Sequence, residues 1–132
     1  MVAAVEFIDV SRSYGGQVAL ADVSFRLDPG ELVFLVGASG AGKTTLLKLI
    51  NREMRPTLGE VWVDGLPAHA LTQGRVAELR RHIGVVFQDY KLLPRLTAVE
   101  NVAFALQVVD LRVGDDEALA RALDALEAVG LG

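Results

Sequence analysis

The chain has 132 residues, 52% of them hydrophobic and 23% charged, with a formal net charge of -4. This is the composition of a globular chain with one moderate core, not of a disordered one. Its acidic balance, with no Lys/Arg run longer than Arg80-Arg81, argues against nucleic acid as a partner. Cysteine is absent, which removes disulfides and thiolate metal sites and fits a reducing compartment. The N-terminus lacks the basic start and apolar run of a signal peptide, and no apolar run nears the ~20 residues that span a bilayer. The expected location is cytoplasmic, with any membrane connection made through a partner.

In chain order, Val5 to Val10 mixes β-branched and aromatic residues and reads as a strand. Val18 to Leu27 is a second strand, ending in the alternating Val23-Ser24-Phe25-Arg26-Leu27, and Tyr14-Gly15-Gly16 is the turn between them. Asp28-Pro29-Gly30 is a stronger turn signal. Leu32 to Val36 is a continuous apolar run, the pattern of a strand buried on both faces. Gly37 to Gly42 is a glycine-rich loop, and Lys43 to Ile50 reads as a helix that Pro56 and Gly59 keep from continuing. Val61-Trp62-Val63 is a short strand closed by the Asp64-Gly65 turn. Arg75 to Arg81 reads as helical and Ile83 to Phe87 as another buried strand. Thr97 and Glu100 match a capping box opening a helix to about Val109, apolar nearly all round and so either core or covered by a partner. Asp115, Asp116 and Glu117 suit the start of a last amphipathic helix. Its expected apolar face is Leu119, Ala122, Leu123, Leu126 and Val129, and Gly130 is its stop. With no repeat, linker or low-complexity tract, the expectation is one α/β unit.

The segment Gly37-Ala38-Ser39-Gly40-Ala41-Gly42-Lys43-Thr44 fits G-x-x-x-x-G-K-[ST] without a mismatch, between a strand and a helix. Phosphate is densely anionic, and such a loop meets it with successive backbone N–H groups and the positive end of a helix dipole. Glycines let the backbone come close and take positive φ. Lys43 supplies a point charge for the terminal phosphates, and the Thr44 hydroxyl offers the hard oxygen that Mg²⁺ prefers. Nucleotide binding follows. The P-loop alone does not choose among GTPases, small kinases, motors and transporter ATPases, but two strand-like segments precede it, unlike a minimal GTPase or kinase. Tyr14 is either a purine-stacking ring or a half-buried turn tyrosine.

Val5 to Tyr14, Ala19 to Leu27, Pro29-Gly30-Glu31 leading into the P-loop, and Arg81 to Gln88 together resemble the ATP-binding subunits of ABC transporters over the whole chain. The resemblance implies a P-loop NTPase fold over 1–132: an antiparallel β subdomain, the start of a RecA-like core and the start of a helical subdomain. It implies ATP and Mg²⁺ as cofactors, Tyr14 stacking on adenine with Val18 beside it, and phosphate contacts from Gly37, Ala38, Ser39, Gly40, Ala41, Gly42, Lys43, Thr44 and Thr45. Gln88 would contact nucleotide, Mg²⁺ and the attacking water, so that the implied catalytic residues are Lys43 and Gln88 and the metal ligands Thr44 and Gln88. Leu46 to Thr57, Phe87 to Pro94 and Thr97 to Leu106 resemble, more narrowly, the bacterial cell-division members of the family. Those members pair with an integral membrane subunit on the inner face of the membrane and act as dimers that sandwich ATP. The alternatives are the ATPase of a small-solute transporter and a nucleotide-binding fragment without turnover.

The family also uses a strand ending in Asp-Glu, an LSGGQ-like signature and a switch histidine, and none is found in residues 1–132. Asp9 and Asp64 follow strands but read as structural. His69 and His82 precede Gln88 and read as solvated or locally bonded, and Asp89 as a solvated loop acid. The expectation is an N-terminal part of the family pattern, stopping inside the helical subdomain. Its P-loop strand would then be left partly unpaired and prone to aggregate.

Overall fold

A computed structural model describes residues 1–132, which divide into two compact units, Met1–Gly84 and Val85–Gly132. This differs from the single unit expected from the sequence.

The first unit is built on an antiparallel sheet in the order β2-β1-β3-β4, with β1 at Val5–Tyr14, β2 at Gln17–Leu27, β3 at Leu58–Val63 and β4 at Leu66–Pro67. β1 pairs with β2 through Phe7↔Phe25 and Tyr14↔Gln17, and with β3 through Phe7↔Val61. The β1–β2 turn is Gly15-Gly16, both at positive φ, which suits a tight hairpin that follows strand twist. Phe7 and Val10 are both buried although three positions apart, a spacing that puts side chains on opposite faces of a regular strand. An irregularity in register between them resolves this, with Asp9 at φ 50 and its N–H donating to Ser24 Oγ at 2.8 Å. Gly59 faces that bulge, and a Cβ there would lie 2.3 Å from Asp9 O, so no other residue fits without a shift.

Helix α1, Lys43–Ile50, lays Leu46 and Leu49 against Phe7, Val10, Leu20 and Val61, and α2, Val76–Arg81, adds Leu79 to the same core. A 3₁₀ turn at Gln73–Arg75 precedes α2, so the helical segment read from Arg75 begins one residue later as α-helix. Asn51 caps α1, and Arg52 follows at φ 55, ending the helix before Pro56 is reached. The Arg52 side chain is buried and donates to Ala68 O and Leu71 O, which ties the loop after β4 to the end of α1.

Two expected strands do not form. Leu32 to Val36 and Ile83 to Phe87 join no ladder, and Phe34 and Val36 are 81% and 89% exposed. Both runs have the apolar content of a strand buried on two faces, but a strand exists only where its N–H and C=O groups meet a partner backbone. No segment of residues 1–132 pairs with either run.

The second unit contains α3, Ala98–Val109, and α4, Asp115–Ala128. The capping box is present: Glu100 N–H donates to Thr97 Oγ1 at 3.3 Å and Thr97 N–H to Glu100 Oε2 at 2.7 Å. The helices meet through the small residues Ala103, Ala118 and Ala122, which let the backbones come close. The face expected of α4 is therefore corrected: of its five residues only Ala122 is buried, while Leu123 and Val129 stand exposed. In α3 likewise only Ala103 is buried.

Candidate nucleotide site

The loop from Gly37 to Gly42 closes on itself through Ala41 N–H donating to Ala38 O at 3.1 Å, with Gly40 at φ 80. Gly42 starts α1 at φ 97, and a Cβ there would sit 2.6 Å from Ala19 O and 2.8 Å from Leu20 Cδ2. Glycine at this place is demanded twice, by the backbone angle and by the approach to β2. The consequence is that β2 holds the loop against the sheet. The Lys43 ammonium donates to Gly37 O and, at 2.8 Å, to Ala38 O, so its charge stands over the loop. A cavity of about 230 Å³ opens here, lined by Ala19, Ser39, Gly40, Gly42, Lys43, Thr44 and Thr45.

Tyr14 stands at the end of the β1–β2 hairpin, 42% exposed. Its hydroxyl donates to Met54 Sδ at 3.0 Å. The phenol is held below the usual tyrosine range, foremost by a hydrogen bond with the Thr45 side chain, with the nearby Arg12 guanidinium adding to it. Thr45 thus joins the ring to the lining of the cavity. Val18 is exposed on β2, opposite Ser13, at the same hairpin end. Thr44 is exposed in the first turn of α1. Gln88 lies exposed in a turn at the beginning of the second unit.

The donor set suits a polyphosphate: one ammonium, two hydroxyl side chains on the helix, a serine in the loop, and backbone N–H groups at a helix start. Residues 1–132 contain no group of three or more His, Asp or Glu side chains that could hold a metal. A Mg²⁺ at such a place takes its ligands mainly from phosphate and water, for which the single Thr44 hydroxyl suffices. A larger cavity of about 300 Å³ lies between α3 and α4, but its lining of apolar residues with the acids Glu100 and Asp115 is hostile to phosphate.

The other titratable groups keep structural roles. His69 Nδ1 lies 3.0 Å from Val61 O and its ring meets Trp62 edge-on, while His82 Nδ1 is 2.6 Å from Asp64 Oδ2. Asp9 and Asp64 both take positive φ at bulge and turn. Asp89 is paired with Lys91 at 2.7 Å, and that hydrogen bond lowers its pKa. Sequence reasoning missed Arg12, whose guanidinium carbon lies 4.8 Å from the centre of the Tyr14 ring. The i, i+2 spacing on one strand was the available signal, since it puts both side chains on one face.

A strand pair, a glycine loop fixed by β2 and a lysine poised over a phosphate-sized cavity define a P-loop nucleotide-binding protein. The model of the ABC transporter family matches residues 20–132, and the chain belongs to that family. It is 46% identical over 106 residues to the cell division ATP-binding protein FtsE of Bacillus subtilis, covering 80% of this chain and 46% of the relative. It is 43% identical over 129 residues to the methionine import ATP-binding protein MetN of Caulobacter vibrioides, covering 96% of this chain and 38% of that protein. A solved dimer of the ATP-binding cassette MJ0796, in a post-hydrolysis state with ADP and Pi, aligns with TM-score 0.83 at 36% identity, covering 93% of this chain and 56% of that one. The chain spans about half the length of the FtsE proteins it matches. No helix is long and apolar enough to cross a membrane.

Proposed function

We propose that this chain provides the ATP-binding site of an FtsE-like ATPase subunit, which couples ATP binding and hydrolysis to an FtsX-like integral membrane subunit in cell division. The observation that carries the reading is the cavity beside Lys43, lined by Ser39, Thr44 and Thr45 and by Gly40 and Gly42 of the loop. Lys43 leaves its loop carbonyls for the terminal phosphates, the loop N–H groups orient the remaining phosphate oxygens, and Tyr14 stacks on the adenine with Val18 at its edge. Thr44 would hold Mg²⁺, which neutralises phosphate charge when bound. Gln88 takes, by family resemblance, the part of contacting that metal and the attacking water. In the family-length protein two subunits sandwich ATP, as a dimer peripheral to the inner face of the membrane.

For residues 1–132 alone, MgATP binding is expected with phosphate release at background. Phosphoryl transfer to water needs a positioned nucleophile and stabilised charge on the γ-phosphate. The side chains around the cavity include no carboxylate to orient water. A phosphate-release assay beside calorimetry tests this, and robust release lost in Lys43→Ala would overturn it.

The similarity to MetN supports a second reading, the ATPase of a solute importer. Co-expression of the family-length protein with an FtsX-like subunit, and separately with the membrane subunit of a methionine importer, separates the two. Stable co-purification and altered ATP turnover are expected with the first alone.

A further inference from the structure

Arg12 is placed in an unusual way for a surface-strand arginine. Its Nη1 donates to Arg55 O at 2.9 Å, its Nε is buried without a hydrogen-bond partner, and none of the ion pairs of this chain includes it. A buried donor left unpaired is unfavourable, and an arginine kept only to anchor the strand end would satisfy it or pair with an acid. What the guanidinium does have is the Tyr14 ring at 4.8 Å. The ring is therefore held on one face by Arg12 and at its hydroxyl by Met54 and Thr45, while 42% of the residue remains open.

We propose that Arg12 is a positioning residue for the nucleobase: seated against Tyr14 and anchored at Arg55 O, it fixes the ring in the orientation that receives a purine on its open surface. Arg12 acts through Tyr14 and touches neither base nor phosphate. Two physical effects support this. A cation behind the ring is attracted by its π-face, which restricts the ring's rotation before any ligand arrives. A platform already ordered loses less freedom when the base stacks, so more of the stacking appears as affinity. The inference rests on the reading of Tyr14 as the base platform.

The test compares MgATP with magnesium tripolyphosphate, which presents the phosphates without a base, by calorimetry on the purified protein. Arg12→Met keeps the apolar stem and removes the charge. It is expected to weaken MgATP binding about twofold to tenfold, the scale of a cation–π contact. Tripolyphosphate binding should be unchanged, which also shows that the variant is folded around its P-loop. Arg12→Lys should recover part of the loss, and in a Tyr14→Ala background Arg12→Met should have no further effect. Equal weakening of both probes, or full additivity with Tyr14→Ala, would overturn the proposal by making Arg12 an ordinary structural or phosphate-facing charge. If Tyr14→Ala weakens MgATP while Arg12→Met does not, the platform stands and only the role of Arg12 falls. If Tyr14→Ala leaves MgATP binding intact, the platform itself is wrong and the inference goes with it.

Discussion

Residues 1–84 and residues 85–132 solve the problem of burial very differently. In the first unit a sheet and two helices close on one core, in which Phe7, Val10, Leu49, Val61 and Leu79 are almost wholly removed from solvent. In the second, two helices meet on three alanines, and Phe104, Val108, Leu111 and Leu123 remain exposed. Apolar burial contributes roughly 25 cal/mol per Å², so a contact made of alanine methyls stabilises far less than one made of leucine and phenylalanine. The phosphate loop sits on the unit with the deep core, where its last glycine, Gly42, packs closely against Ala19 and Leu20 of β2 at the start of α1. The shallow unit carries Gln88 and a wide apolar helix surface, features suited to response more than to fixed geometry.

That contrast can be broken most forcefully at Lys43. Lys43→Ala should lower MgATP affinity at least about a hundredfold, the scale of losing two charge-assisted hydrogen bonds, while leaving the unfolding midpoint of the first unit in place. Calorimetry reads the first quantity. The fluorescence of Trp62, the only tryptophan and a residue of β3, reads the second in urea. Unchanged affinity would remove the P-loop from the account.

Gly42→Ala should do the reverse and unfold what Lys43→Ala spares. The new Cβ would meet Ala19 O at 2.6 Å on a backbone held at φ 97. A loss of about 2–4 kcal/mol in the same urea experiment is expected, from left-handed strain added to overpacking. A fully stable variant would show that β2 does not hold the loop.

Smaller effects belong to the second unit. Thr97→Ala removes one half of the capping box and should cost α3 about 1 kcal/mol. Faster amide hydrogen exchange along Ala98–Val109, with MgATP affinity unaltered, is the expected pair of results. Slower binding of nucleotide in that variant would argue that the units do not divide their tasks in this way.

The least effect is one of pH. Hydrogen bonds from Arg112 hold the Asp110 carboxyl down at about 2, against an ordinary 3.8. A carboxyl depressed in the folded state stabilises it above the unfolded pKa and ceases to do so as pH falls through the folded one. Protection of the α3–α4 connection should therefore decline between about pH 4 and about pH 2, modestly because its Arg112 partner lies open to solvent. Asp110→Asn should flatten that decline in a hydrogen-exchange titration.

Much of this protein was legible from residue order, wherever the determining physics is local. The P-loop register, the Gly15-Gly16 turn, the span of α1 and the capping box of α3 each depend on side chains within a few positions of one another. They came out where the sequence put them. Tyr14 could be singled out as a candidate, and Arg12 stands two positions before it on the same strand, but Met54 and Thr45 come to its hydroxyl only through folding.

Pairing and facing were decided by the tertiary structure alone. Leu32 to Val36 and Ile83 to Phe87 carry the apolar content of buried strands, yet a strand is a relation between two backbones, and no periodicity within one segment specifies the other. The buried side of α4 turned from its leucines to Ala118 and Ala122 because the closest approach of two helices is set by the smallest side chains both can offer. Spacing alone marked the candidate phosphate loop of this chain, since a lysine, a hydroxyl and glycines within eight positions act over a few ångströms. The division into two units depended on which distant surfaces found each other, a property the linear order does not contain.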